Sequence, residues 1–166
     1  EQGLSIAHAI GDHKMEGAML RWISQVYSAQ GKGDLALRSL EQSLSACQEA
    51  SDNGCQAKAL SDMAALASAR EEYPKALGYL EHALGLQQGL GSTEEQGIIL
   101  NNIGLLHNAQ GDPARALEYF QQALAITRTA DDKRLERTCL DNISQAYHLQ
   151  GNYDAALEQL RHSLEI

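Results

Sequence analysis

The chain repeats itself with a period of forty residues, and this period constrains its fold more than any other feature. An alanine marks the same position in each period: Ala36, Ala76, Ala116 and Ala156. Bulky apolar residues follow four positions later, at Leu40, Leu80, Phe120 and Leu160, and eight positions later, at Leu44, Leu84, Leu124 and Leu164. This i, i+4, i+8 spacing is that of one helix face. Each period is therefore predicted to contain one amphipathic helix, called the back helix below.

A second apolar stripe recurs upstream with the same period. It consists of a leucine and, three residues later, an isoleucine or methionine: Leu20, Leu60, Leu100 and Leu140, then Ile23, Met63, Ile103 and Ile143. The next residue is small in every copy: Ser24, Ala64, Gly104 and Ser144. A small side chain lets a neighbouring helix approach closely. Each period is therefore predicted to begin with a second helix, the front helix, which packs against the back helix.

Turn and capping residues separate these helices. Residues suited to a left-handed helix end follow the front helices at Gly31, Gly111 and Gly151, with Glu71 as the exception. Side chains able to cap the front helices are Asp12, Asp52, Ser92 and Asp132, and Ser92 with Glu95 is predicted to form a capping box. The predicted front helices lie near residues 14–30, 54–70, 94–110 and 134–150, and the back helices near 33–50, 73–90, 113–130 and 153–166.

The pattern resembles the tetratricopeptide repeat, whose signature joins W-x-x-L-G-x-x-Y to a later alanine, an aromatic residue and a proline. The third period matches best, through Leu100, Gly104, His107, Ala116 and Phe120. The final proline is missing, and the period is longer than the usual length of about 34 residues, as in Pins-related adaptors, kinesin light chains and bacterial signalling proteins. The resemblance implies an all-α fold, a right-handed α-solenoid of antiparallel helix pairs, and a core position for His107. It implies protein binding without naming the partner.

The period predicts a single array over residues 1–166. A truncated repeat at 1–11 precedes four repeats at 12–51, 52–91, 92–131 and 132–166. The first and the last residues both have the phase of a back helix, so neither end is predicted to carry a polar capping helix. We therefore expect a trimmed fragment of a larger scaffold or signalling protein. The alternative is a native end that stacks on another copy through Leu4 and Leu164.

Charge and cysteine content exclude some partners and favour one compartment. The chain has 13 Lys and Arg against 22 Asp and Glu, a net charge of -9, which disfavours nucleic acid as a partner. No apolar run approaches the roughly 18 residues of a membrane span, so no membrane partner is expected. Cys47, Cys55 and Cys139 cannot all pair with one another and lack metal-ligand spacing. Reduced thiols and a cytoplasmic location are therefore expected.

The front helices of stacked helix pairs line a concave face, so their stripe opposite the buried residues is the predicted partner-binding surface. It comprises Arg21, Trp22, Gln25, Lys58, Asp62, Asn101, Asn102, Leu105, Asn108, Asp141, Asn142, Gln145 and His148. Its amides are able to donate to and accept from a peptide main chain. Trp22 has two interpretations, an anchor for a partner or a residue that packs on a neighbouring repeat.

Two other kinds of chemistry are disfavoured. Some tetratricopeptide domains bind the terminal carboxylate of chaperones with a Lys, Asn, Asn, Lys, Arg clamp, and the matching residues here are Arg21, Gln25, Asp62, Asn101 and Leu105. An aspartate and a leucine in place of an amide and a cation do not suit a carboxylate. The six histidines are scattered and no glycine-rich phosphate loop accompanies them. We therefore predict no enzymatic activity, no metal and no cofactor.

The leading hypothesis is a protein-interaction module that binds a peptide or a helical segment of another protein in its concave groove. The alternative is a structural scaffold that self-associates through its ends. Molecular size measured across a concentration series separates these two hypotheses.

Overall fold

A computed structural model describes residues 2–166, and Glu1, which the sequence assigns to the first back helix, lies outside them. The described residues form nine α-helices and no strand: α1 (Gln2–Ile10), α2 (His13–Ala29), α3 (Gly33–Glu49), α4 (Asn53–Ala69), α5 (Tyr73–Leu90), α6 (Thr93–Ala109), α7 (Pro113–Ala130), α8 (Lys133–Leu149) and α9 (Tyr153–Leu164). The front helices α2, α4, α6 and α8 and the back helices α3, α5, α7 and α9 begin and end within two residues of the predicted bounds. The predicted all-α fold is confirmed.

The helices form two compact units, although the sequence predicts a single array. In unit 1, which extends to Leu90, α1 packs on α2, α2 on α3, α3 on α4 and α4 on α5. In unit 2, from Gly91 to Ile166, α6 packs on α7, α7 on α8 and α8 on α9. The front helices of each unit also touch, α2 with α4 and α6 with α8. Within residues 2–166, no helix is long and apolar enough to span a bilayer.

The turn after each front helix has the predicted left-handed residue. The backbone φ is +71° at Gly31, +79° at Gly111 and +76° at Gly151. Glu71 adopts the same conformation, with φ +60°, even though a side chain makes this region costly. The turn geometry is therefore imposed by the packing of the helix pair and not by glycine alone.

The aspartate caps form as predicted, and the serine cap does not. The carboxylates of Asp12, Asp52 and Asp132 accept hydrogen bonds from the amides three residues later, at 2.8–3.0 Å. Ser92 occupies the same position before α6, but its hydroxyl makes no capping hydrogen bond, so the predicted capping box with Glu95 is wrong. The backbone at Ser92 is close to that at Asp52, so the difference lies in the side chain and not in the backbone conformation.

The repeated small residues lie at helix crossings. Ala36, Ala76, Ala116 and Ala156 are buried, as expected for positions where the neighbouring helix leaves room for little more than a methyl group. The predicted core role of His107 is confirmed, because its buried ring stacks on the ring of Tyr119 with centroids 5.3 Å apart.

The expectation of three reduced cysteines was wrong, because Cys47 and Cys55 form a disulfide. Cys47 lies in the last turn of α3 and Cys55 in the first turn of α4. The short connector between these helices brings the two Cα atoms to 5.5 Å, within the usual range for a disulfide of about 4.4–6.8 Å. An odd number of cysteines prevents all three from pairing, but it does not prevent two.

Glu136 on α8 is a buried acidic residue held by two cations. Its carboxylate accepts hydrogen bonds from Arg128 Nε of α7 at 2.8 Å and from Lys133 Nζ at 3.1 Å. The Arg128 hydrogen bond, with that of Lys133, holds the pKa of Glu136 below its ordinary value of 4.5, against the opposing effect of burial. A carboxyl with a lowered folded-state pKa stabilises the fold above its unfolded-state pKa and loses that contribution as pH falls.

We expect Glu136→Gln to lower the free energy of unfolding by about 1 kcal/mol at neutral pH, since its partners are partly exposed and screened. The difference from the unchanged protein should shrink as pH falls below 4.5, because the carboxyl is then increasingly protonated. Urea unfolding at several pH values measures this. Glu118→Gln, at an exposed position of α7, is the control. A difference that is constant with pH would contradict the assignment.

Candidate partner-binding surface

In unit 1 the two front helices are joined by an ion pair. The guanidinium Nε of Arg21 on α2 donates to the carboxylate of Asp62 on α4 at 2.8 Å. Both side chains are roughly three-quarters buried, at 23% and 28% exposure, so the two charges are compensated within the surface. Neither residue therefore presents an unpaired charge to a ligand.

A pocket of about 190 Å³ opens between α2 and α4 beside this ion pair. Its floor is formed by Ala36 and Leu40 of α3. The remaining lining residues come from the two front helices: Ser24, Gln25, Ser28, Asp62, Ala65, Leu66 and Ala69. Gln25 and Asp62 were predicted as partner-binding residues, and the structure brings them together at this pocket.

Trp22 and Lys58 lie outside the pocket. Trp22 is 69% exposed and stands beside exposed Val26 on the next turn of α2. By the forty-residue period, Trp22 occupies the position of Asp62, through which α4 contacts the preceding front helix. Lys58 is exposed in the first half of α4.

In unit 2 an amide pair replaces the ion pair. Asn142 Nδ2 on α8 donates to Asn101 Oδ1 on α6 at 2.8 Å, and both pairs join residues 41 positions apart. Asn101 is only 5% exposed, so it is not the open surface residue that the sequence predicts. The buried Cys139 thiol also lies against its oxygen, and burial raises the pKa of Cys139 to about 12. Asn101 therefore orients Asn142.

Three further predicted residues lie on α6. Asn102 is half-buried, whereas Leu105 is exposed. Both polar atoms of the Asn108 side chain are buried, and they have no hydrogen-bond partner in the described part of the chain. A buried amide without a partner costs free energy, so Asn108 is a polar position that the fold itself does not satisfy.

The remaining predicted residues lie on α8. The Asp141 carboxylate accepts a hydrogen bond from the Ser163 hydroxyl of α9 at 2.6 Å. The His148 ring stands edge-on to Tyr153, with centroids 5.4 Å apart. Gln145 is exposed. Among residues 2–166, no group of three or more His, Cys, Asp or Glu side chains is placed to hold a metal ion.

The comparison with known families identifies the repeat. The tetratricopeptide repeat family matches residues 16–89 and 95–166. The chain belongs to this family. No curated protein matches it in sequence.

Several solved structures share the fold at low sequence identity. BtubC (BKLC) from P. vanneervenii has 20% identity and a TM-score of 0.82, over 92% of this chain and 63% of that one. A Rap protein complexed with Competence and Sporulation Factor has 20% identity and a TM-score of 0.82, over 90% and 42%. A putative kinesin light chain from Podosopora anserina has 18% identity and a TM-score of 0.77, over 98% and 80%. The chain thus spans less than two thirds of the first two structures.

Proposed function

We propose that this tetratricopeptide chain is a protein-interaction module that binds a peptide or helical segment of a partner along its front helices. The observation that carries the proposal is the unit 1 pocket, whose floor is apolar and whose rim carries the exposed amide of Gln25. An apolar recess with a few polar groups at its edge is the common form of a recognition site. The similar Rap structure, which holds Competence and Sporulation Factor, supports the proposal.

We expect Gln25→Ala and Asn102→Ala each to weaken partner binding, by about 0.5 to 1.5 kcal/mol for each hydrogen bond lost. Capture of partners from the source cells supplies the ligand, and calorimetric titration measures the affinities. Gln122→Ala, at an exposed position of the back helix α7, is the matched control. If Gln122→Ala weakens binding while the two front-helix variants bind normally, the partner binds the back helices.

An exposed apolar face on α9 favours a second candidate function, self-association. Leu157 is 54% exposed, Leu160 42% and Leu164 87%. The residues forty positions earlier on α7, at Leu117, Phe120 and Leu124, are buried in unit 2, where α8 packs on α7. The face is therefore of the kind that another front helix covers, and we propose that a second copy of the chain covers it.

Sedimentation across a concentration series tests the second candidate. We expect Leu160→Glu to keep the protein monomeric without unfolding it, because the position is already exposed. A protein that stays monomeric without any substitution contradicts self-association and leaves partner binding intact.

The cytoplasmic location and the exclusion of nucleic acid stay predictions. The argument from reduced thiols for a cytoplasmic location no longer includes Cys47 and Cys55.

A further inference from the structure

The unit 1 pocket lies at a position that is filled differently in the first and the third repeat. In unit 2 this position is Phe120, whose ring is completely buried and packs against Gly104 of α6. In unit 1 the same two positions are Leu40 and Ser24, and both line the pocket. The ring of the third repeat is thus replaced here by a leucine and a serine, which lie beside the pocket between α2 and α4.

The polar groups in the pocket wall divide into two classes. The Ser24 hydroxyl donates to the carbonyl oxygen of Arg21 at 2.6 Å, and the Asp62 carboxylate accepts from the guanidinium of Arg21. These groups are satisfied within the fold. The exposed side chains of Gln25 and Ser28 at the rim make no hydrogen bond within the described residues. Of the α2 side chains that line the pocket, these two therefore offer unused polar groups to a bound chain.

The size and charge of the pocket define what it accepts. A cavity of about 150 Å³ lined by apolar side chains is known to bind benzene. The volume here, about 190 Å³, therefore suits a single leucine, methionine or phenylalanine side chain. A cation or an anion would enter without a free counter-charge, because Arg21 and Asp62 already neutralise each other.

We propose that this pocket is the anchor site of the interaction surface. It accepts one uncharged, leucine- to phenylalanine-sized side chain from a partner segment, while Gln25 and Ser28 hydrogen-bond the main chain beside that anchor. This inference deepens the proposed function and rests on it. It adds the charge and the size of the residue that the partner must supply, which is uncharged and between leucine and phenylalanine in size.

The test uses small probes, so that it does not depend on knowing the partner. Amide chemical shifts of the full chain are followed by NMR during titration with N-acetyl-leucinamide, N-acetyl-phenylalaninamide, N-acetyl-lysinamide and N-acetyl-glycinamide. We expect the leucine and phenylalanine probes to produce saturable shifts at Ala65, Leu66 and Ala69. The lysine and glycine probes should bind at least ten-fold more weakly.

Two variants close the pocket in different ways. Ser24→Gly with Leu40→Phe copies the arrangement of unit 2, and should reduce probe binding at least ten-fold. Because that variant changes the core, Ala65→Leu provides a second closure from an exposed wall position, where folding is not at risk. Ala125→Leu, at an exposed position of α7, is the control and should leave probe binding unchanged.

Probe shifts at other residues, shifts of equal strength with the lysine probe, or full binding by both closed variants would each overturn the anchor site. The experiments also separate a failure of the anchor site from a failure of the proposed function. If the partner binds the closed variants as tightly as the unchanged chain, the module binds proteins but not through this pocket. If the probes bind as expected and no partner is captured along the front helices, the anchor site is supported and the proposed protein-binding function is contradicted.

Discussion

Substitution of Gly104 by alanine is expected to lower the free energy of unfolding of unit 2 by about 1 to 3 kcal/mol, through overpacking. A Cβ atom at this position would lie 2.5 Å from Cε1 and 2.6 Å from Cδ1 of Phe120. The ring is fully buried, so a shift away from the added atom would disturb the packing around it. Alanine alone would favour the helix by roughly 0.5 to 1 kcal/mol over glycine, so the steric cost has to exceed this gain.

A double-mutant cycle isolates the contact. Phe120→Leu reproduces the smaller residue of the other periods, and in its presence Gly104→Ala should cost little or should stabilise the fold. Gly85→Ala is the control, because a Cβ atom at that position of α5 meets nothing within 4 Å, and it should stabilise the helix. Urea unfolding measures all four variants. Equal effects of Gly104→Ala with and without Phe120 would show that the glycine is needed for another reason.

The helices were predictable because their signals are local. The aspartate caps and the period of apolar residues each act within one helix, and they set its ends to within two residues. Glu71, the exception to the glycine pattern, adopts the same left-handed conformation as the glycines. Where the position of a helix end depends only on residues within one turn or one helix, the repeat pattern is enough to predict it.

Contacts between neighbouring helices were not predictable in the same way. Arg21 with Asp62 and Asn101 with Asn142 both join residues 41 positions apart, one more than the period. Whether such side chains meet depends on the distance and rotation between two helices, which the helical phase of either one does not define. Asn101 and Asn102 were both placed on the open surface, yet adjacent residues on a helix point about 100° apart, so one of them became buried.

A difference between the periods beside the unit 1 pocket is visible in the sequence. The paired differences Ser24 with Leu40 and Gly104 with Phe120 are visible in the aligned periods. They show that a ring fills one copy, and that a serine and a leucine replace the glycine and the ring in another. This difference can be interpreted only when the two positions are known to be in contact. That contact belongs to the tertiary structure and is not visible in the sequence.

Breaking the Cys47–Cys55 disulfide is expected to lower the free energy of unfolding by about 2 to 3 kcal/mol, the chain-entropy value for a short loop. The two residues are eight positions apart and link the end of α3 to the start of α4. In unit 2 the corresponding residues are Thr127 and Leu135, which pack around Gly97 without a covalent bond. A fold of this type therefore holds without the disulfide, and its loss should destabilise unit 1 rather than prevent folding.

Urea unfolding with and without dithiothreitol measures the loss of unfolding free energy. Cys139→Ser is the control, because it removes the third thiol and leaves the disulfide in place. Cys47→Ser with Cys55→Ser should reproduce the reduced state. Cys47→Thr with Cys55→Leu copies unit 2 and should recover part of the stability, because apolar contacts replace the bond. This double variant should not respond to dithiothreitol. If the unchanged chain does not respond either, and mass spectrometry finds three free thiols, Cys47 and Cys55 are not bonded in solution and the junction depends on packing alone, as it does in unit 2.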